Sequence, residues 1–252
     1  MLEGKKLTVT TGSMNRLSNL RRSLHTWLQL PEPDHVVVVD WGSSNPVAEA
    51  LSGFQDPRLI VVDALGQSKW HHSKCHNLEF QLACILGCEL VLRLDNDCLV
   101  QPNFFERHPI AGGTFYAVNC HEVPPEADDK RNLCGTLFAH TRDFFRAGGY
   151  NERLVHYGYE DEDLYLRMKS SGLEWLNCDL STLDHIPHDD LTRFENLAID
   201  LRKFRDVSKL KQYLIAKNRI GSTSKPWTSA DLPTQWVIER APRHWRCIEQ
   251  RS

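Results

Sequence analysis

The 252-residue chain predicts an α/β fold with a mostly parallel central sheet flanked by helices, and three observations carry that expectation. Short β-branched runs alternate with amphipathic helical stretches through the N-terminal half, the pattern of right-handed βαβ units. His35-Val36-Val37-Val38-Val39 is apolar without interruption, as in a strand covered on both faces. Polar clusters follow the strand ends, where open parallel sheets bind ligands.

Taken in order, Leu7-Thr8-Val9-Thr10-Thr11 is the first strand and stops at Gly12. Beyond the loop Ser13 to Arg16, residues Leu17, Leu20, Leu24, Trp27 and Leu28 recur at three- and four-residue intervals and form one helix face. The valine run is the second strand and ends at Asp40-Trp41-Gly42-Ser43-Ser44, a short helical piece follows Pro46, and Leu59 to Val62 is the third strand. A polar loop from Gly66 to Lys74 leads into a helix marked by Leu78, Leu82, Ile85 and Leu86, which Gly87 ends. The fourth strand, Leu90 to Leu94, runs into Asp95-Asn96-Asp97.

The second half departs from the alternation. Phe115 to Asn119 and Leu133 to His140 read as strands, and the charged, proline-bearing segment Glu122 to Lys130 between them has the composition of a mobile loop. A short helix, Thr141 to Ala147, precedes Gly148-Gly149-Tyr150-Asn151-Glu152. A second helix starts in the acidic run Glu160-Asp161-Glu162-Asp163. A small strand near Trp175 and the segment Leu183 to His188 follow. Glu195 to Asn218 is amphipathic and helical, and residues 221–252 read as a lid, an arm or a surface-packed extension.

Bulk composition narrows the function. Hydrophobic residues make up 41% and charged residues 25%, as in ordinary globular proteins. A net charge of −3 without a basic stripe argues against nucleic acid as a partner. Neither a signal peptide nor a span of membrane length is visible, which leaves at most peripheral membrane contact. None of the eight cysteines forms a CxxC pair, so buried free thiols in a reducing compartment, the cytoplasm, are expected.

The chemistry-bearing residues admit two readings each. Asp95-x-Asp97 at a strand end suits a hard divalent cation that keeps positions open for phosphate oxygens, although turns after strands also favour Asp and Asn. The acidic run at Glu160 complements a helix N-terminus or carries acid-base work. His185 and His188 would add imidazole to carboxylate and phosphate ligands, a set that suits manganese. A histidine taken singly is more often a satisfied surface or core residue.

The run Leu92-Arg93-Leu94-Asp95-Asn96-Asp97, with Gly148 to Glu152 and Tyr157-Gly158-Tyr159-Glu160-Asp161-Glu162-Asp163-Leu164 after it, resembles the GT-A glycosyltransferases. The likeness spans about residues 7 to 193 and is nearest to family-2-type enzymes and the β-1,4-galactosyltransferase group with its GWGxED-type segment. It implies the Rossmann-like GT-A fold, with a catalytic domain at 1–193 and a helical extension and tail at 194–252 packed on or covering it. It also implies a metal-dependent inverting transfer of a hexose or N-acetylhexosamine from a UDP-sugar to a glycan or other hydroxyl acceptor. Asp161 would be the general base, and Glu160 would hold a sugar hydroxyl. Asp97 and His188 would bind Mn2+ or Mg2+, with His185 as the fallback ligand. Thr11, Arg16, Asp40, Lys74, Asp95, Asn96, Tyr157 and Gly158 would contact the nucleotide sugar. Tyr157 stands where galactosyltransferases usually carry Trp, which leaves the acceptor open. A nucleotidyltransferase or retaining transferase on the same fold and a non-catalytic sugar-nucleotide-binding module are the alternatives. A nucleotidyltransferase would need a glycine-rich basic loop that Gly12 to Arg16 does not supply.

Overall fold

The computed structural model describes residues 2, 4–188, 194–197, 199 and 206–250. Among them a nine-stranded sheet runs through the molecule in the order β10-β11-β3-β2-β1-β4-β7-β6-β8. The first four strands are β1 (Leu7–Ser13), β2 (His35–Asp40), β3 (Leu59–Leu65) and β4 (Leu90–Arg93). Their mutual pairings are parallel. Next come β6 (Thr114–Ala117), β7 (Leu137–His140) and β8 (Glu174–Asn177), where β7 runs antiparallel to both β4 and β6.

Burial explains the valine run. Val36 and Val38 join Leu20, Leu24 and Trp27 of helix α1 (Leu17–Trp27) in one core cluster. Val37 and Val39 point the other way, into a cluster with Leu78 and Leu82 of α3 (His72–Ile85), so the strand is apolar on both faces. A short α2 (Val47–Ala50) follows Pro46, as expected. Helix α3 begins six residues before its first apolar marker, Leu78. Its opening turns bury the polar residues Ser73, His76 and Asn77, the last two against polar partners, and this hid the helical period.

Three further expectations are revised. The segment expected to be mobile carries a 3-10 stretch, Pro125–Leu133, so the strand expected from Leu133 starts only at Leu137. Cys120 and Cys134 are joined in a disulfide with Cα atoms 5.8 Å apart, which suits a bridge. They depart from the expectation of free thiols, which holds for Cys75, Cys84, Cys88, Cys98, Cys178 and Cys247, Cys84 being exposed rather than buried. Finally, of the lid, arm or surface-packed extension expected of the C-terminal tail, the structure has a packed extension that joins the sheet. β10 (Trp236–Glu239) and β11 (His244–Glu249) form a hairpin whose second strand pairs parallel with β3. Trp236 and Trp245 on the hairpin are buried, and so is Trp227 ahead of it, whose Nε1 donates to Gly148 O at 2.8 Å. The helix expected from Glu195 appears as α7 (Val207–Ser224). Its predicted stretch 200–205 lies outside the described residues, as does residue 193 at the expected domain boundary.

The remaining elements place the site. α4 (Phe104–Arg107) follows β5 (Cys98–Val100), and α5 (Thr141–Arg146) follows β7. β5 pairs antiparallel with β9 (Leu183–His185), with Cys98 opposite His185. Helix α6 (Glu160–Ser170) opens with Glu160, Asp161, Glu162 and Asp163 in its first turn.

Candidate active site

A cleft of about 570 Å³ opens at the carboxyl ends of β1 and β4, a size usual for small-ligand sites. Three structural devices bring its chemistry together.

The first is the β5–β9 ladder. It seats Asp97, at the start of β5, beside His185 and His188, about ninety positions downstream. Ile186 N donates to Asp97 O at 2.8 Å, which locks the two strand ends. His188 Nε2 lies 2.7 Å from Asp97 Oδ2 and His185 Nε2 lies 3.7 Å from it. The ligand and fallback of the sequence reading thus converge together on one carboxylate. Burial alone would raise the Asp97 carboxyl, but the two imidazoles outweigh it and hold it well below the usual range. All three ligand atoms lie within 4.8 Å of one another, and the buried His185 Nε2 has no hydrogen-bond partner. One carboxylate oxygen and two imidazole nitrogens, one of them buried without a hydrogen-bond partner, fit a divalent transition ion such as manganese.

The second device is the entry to α6. Gly149 has a φ of +68°, and a side chain there would run into Asn77 Oδ1, which accepts from Tyr150 N at 2.7 Å. Asn77 Nδ2 donates to Tyr150 O and to Glu152 Oε1 at 2.9 and 2.8 Å, so the Gly-Gly-Tyr-Asn-Glu motif clamps this turn to α3. Tyr159 is held at φ +76°, costly for a residue with a side chain, immediately before the first turn of α6. The four carboxylates of that turn then divide their work. Asp163 pairs with Arg167 at 2.7 Å and Glu162 with His121 at 3.5 Å. Glu160 and Asp161 face the cleft. Burial raises the Glu160 carboxyl to about 8, helped by Asp161, and Glu160 Oε2 is buried without a partner. Burial also raises Asp161, to about 6, against the pull of Arg93 and of Tyr150 Oη, which donates to Asp161 Oδ1 at 3.0 Å.

The third device was not legible from motifs. Arg93, the last residue of β4, is 3% exposed and donates to Asp95 Oδ1 at 2.7 Å. It also meets His76 Nε2 at 2.7 Å, while His76 Nδ1 lies 3.0 Å from Glu79 Oε1. An arginine inside an apolar strand was the available signal, because a buried guanidinium must find partners.

The other expected contacts divide. Arg16, Asp95, Asn96, Tyr157 and Gly158 line the cleft, with Asn96 Nδ2 donating to Gly12 O at 3.4 Å. Thr11, Asp40 and Lys74 do not. Thr11 is fully buried within β1. The two Asp40 oxygens accept from Ser43 N at 2.8 Å and Val47 N at 3.0 Å, so this carboxylate holds the loop into α2. Lys74 reaches the tail instead and pairs with Glu249 at 2.6 Å.

Comparison with known proteins bears on this arrangement. Residues 117–194 match the family model described as the N-terminal domain of galactosyltransferase, a stretch holding the disulfide, Glu160, Asp161, His185 and His188. The catalytic domain of Drosophila β1,4-galactosyltransferase 7, solved with xylobiose, is similar with a TM-score of 0.61 at 12% identity. The match covers 97% of this chain and 93% of that one. A variant of the same Drosophila enzyme, solved with manganese, UDP-Gal and xylobiose, gives 0.59 at 12% identity, with the same coverage. The mannosyltransferase PcManGT of Pyrobaculum calidifontis, solved with GDP-Man and Mn2+, gives 0.59 at 15% identity over 88% of this chain and 76% of that one. No curated protein sequence matches the chain. The chain thus has the GT-A fold of these glycosyltransferases, and the segment that carries its acidic turn is similar to a galactosyltransferase domain.

Proposed function

We propose that the protein moves a hexose or N-acetylhexosamine from a UDP-sugar to a hydroxyl of a glycan or related acceptor, with inversion at the anomeric carbon. One observation carries this reading: Asp97 and His188, which fit a divalent ion, line the same cleft as Asp161. Asp97, His188 and His185 would hold manganese or magnesium, which when bound stabilises the charge growing on the departing diphosphate.

The chain's own residues supply the rest. Asp161 accepts the proton of the attacking hydroxyl. With its pKa pushed up to about 6, it is ionised at neutral pH and still a stronger base than an ordinary aspartate. Glu160 keeps its proton until about pH 8 and donates a hydrogen bond to a sugar oxygen. Arg16, Asp95 and Asn96 flank the nucleotide, and the rings of Tyr157 and Tyr159 offer apolar faces to the sugars. A single base facing a single metal cluster favours one displacement, hence inversion. Among the described residues no helix is long and apolar enough to cross a membrane, in line with a protein that meets its acceptor in solution or peripherally.

The test is UDP release from UDP-glucose, UDP-galactose and their N-acetyl forms with manganese, combined with thermal protection by each donor. A preferred donor that both protects and turns over is the expected result. Protection without UDP release by any donor would identify a binding module instead, and a product of retained anomeric configuration would overturn the inverting assignment.

A further inference from the structure

We propose that Arg93 is a positioning residue: one guanidinium sets the base Asp161 and the donor-side carboxylate Asp95 relative to each other, and His76 and Glu79 fix it from behind. The inference rests on the reading of Asp161 as the base.

The geometry is that of a hub. Arg93 Nη2 donates to Asp95 Oδ1 at 2.7 Å, and Nη1 stands 3.9 Å from Asp161 Oδ1 while donating to Gly135 O. A side chain at Gly135 would collide with Arg93 Nη1 and Asp95 Oδ2, so a residue without Cβ is required for the guanidinium to sit where it does. On the far side, Nη2 lies 2.7 Å from His76 Nε2. A guanidinium can only donate, so His76 Nε2 accepts and the ring proton sits on Nδ1, directed at Glu79 Oε1 3.0 Å away. His76 and Glu79 stand three residues apart on α3 and so share one helix face. Arg93 Nε and Glu79 Oε2 face each other at 3.9 Å, and neither atom makes a hydrogen bond. Both Nη atoms of the fork therefore have assigned partners.

The electrostatics follow the same lines. The groups facing Asp161 are Arg93 and Asp95 at the end of β4, Glu79 on α3, Tyr150 Oη on the turn before α6, and Glu160 and Tyr165 on its own helix. Arg93 is the cation of this set, and it opposes burial, Asp95 and Glu160. Glu79 is raised by burial to about 8, so near neutrality it orients the network as a neutral acid and does not neutralise Arg93. Lysine would keep the charge but not the fork that bonds Asp95, His76 and Gly135 together.

The experiment uses the full chain, with aspartate carboxyls 13C-labelled and the Asp161 signal identified by its loss in Asp161→Asn. In Arg93→Met the Asp161 midpoint should rise by about one unit or more, and in Arg93→Lys and His76→Gln by roughly half of that. The acid limb of kcat for UDP release from UDP-galactose with manganese should move by the same amount, with kcat lowered about tenfold to a hundredfold. If Arg93→Met does not fold, Arg93→Lys and His76→Gln carry the test. An Asp161 midpoint unchanged in the folded variants, with activity falling only in proportion to folded protein, would reduce Arg93 to a packing role and overturn the proposal. A shifted midpoint in a protein that releases no UDP would leave the pairing standing and remove the proposed reaction. Turnover with an unshifted midpoint does the reverse.

Discussion

Among the described residues, two clusters of three bring histidine and carboxylate together at metal-ligand spacing, and their surroundings differ. Asp97 and His188 line the cleft with His185 beside them, while Cys75 and Glu79 lie behind the part of the wall that His76 forms. In each set the candidate ligand atoms fall within 4.8 Å of one another. What separates them is the charge already present. The inner set abuts Arg93, whose guanidinium stands 2.7 Å from His76 Nε2. A divalent ion there would face a fixed buried cation with no water to screen it. Burial raises the Cys75 thiol well above its ordinary range, which disfavours the thiolate that a metal would need. The outer set has two imidazoles and one carboxylate, with Asp97 and His188 on the cleft lining. Residue types alone do not make a metal site; the local charge balance decides.

The largest expected effect sharpens this contrast on its chemical side. Asp161→Asn should cost about 10²–10⁴ in kcat while leaving manganese-dependent UDP binding nearly intact. Calorimetry and UDP release on the same sample would separate the two quantities. Wild-type turnover in that variant would mean that the base lies elsewhere.

Next in size is the metal response itself. Asp97→Ala should abolish the tightening of UDP binding by manganese, a loss of about tenfold to a hundredfold or more, since even outer partners of metal ligands cost that much. Glu79→Gln, changed in the inner cluster, should leave the manganese response unaltered. Were the two variants to behave alike in calorimetry, the distinction between the clusters would collapse.

The pH profile tests the cleft at finer grain. Asp161 must lose its proton to act and Glu160 must keep its own, so kcat should rise through about pH 6 and fall through about pH 8. These limbs belong to the adjacent pair as a unit. Stability runs the other way. Both carboxyls have folded pKa values raised above their unfolded ones. Their contribution is therefore complete below the ordinary carboxyl range and is lost as pH climbs through about 6 and then 8. Glu160→Gln should accordingly gain stability over the parent chain above about pH 8, read as a higher Tm, and lose the alkaline limb.

The parts of this architecture that the sequence made legible were those written in local pattern. The valine run, the helix period of α1 and the Asp95-x-Asp97 turn each declare themselves within a dozen residues. Asp97 and His188 were joined on motif order alone, and the β5–β9 ladder supplies the physical reason that they meet. The inner network escaped notice because its members are camouflaged. Arg93 sits in an apolar strand, and His76 and Glu79 sit in the polar opening of a helix whose apolar marks come later. The hairpin β10–β11 escaped for another reason. Its strands are short and flanked by prolines and arginines, and their partner β3 lies about 180 residues earlier, so nothing local announces the pairing.

The smallest expected effect concerns Lys74, which the motif reading placed at the nucleotide. Its Nζ lies 2.6 Å from Glu249 Oε1, joining the first turn of α3 to β11 across a partly exposed boundary. A pair of this kind contributes about 0.2–1 kcal/mol, because solvent screens it and two long side chains lose freedom in holding it. Lys74→Ala should then lower Tm by no more than about 4 °C. It should leave UDP affinity unchanged with and without manganese, since the lysine bonds the tail and takes no part in the cleft wall. A drop in UDP affinity large enough to rival that of Asp97→Ala would instead show that α3 feeds the cleft through Lys74 as well as through His76, and that the wall between the inner and outer clusters opens when nucleotide binds.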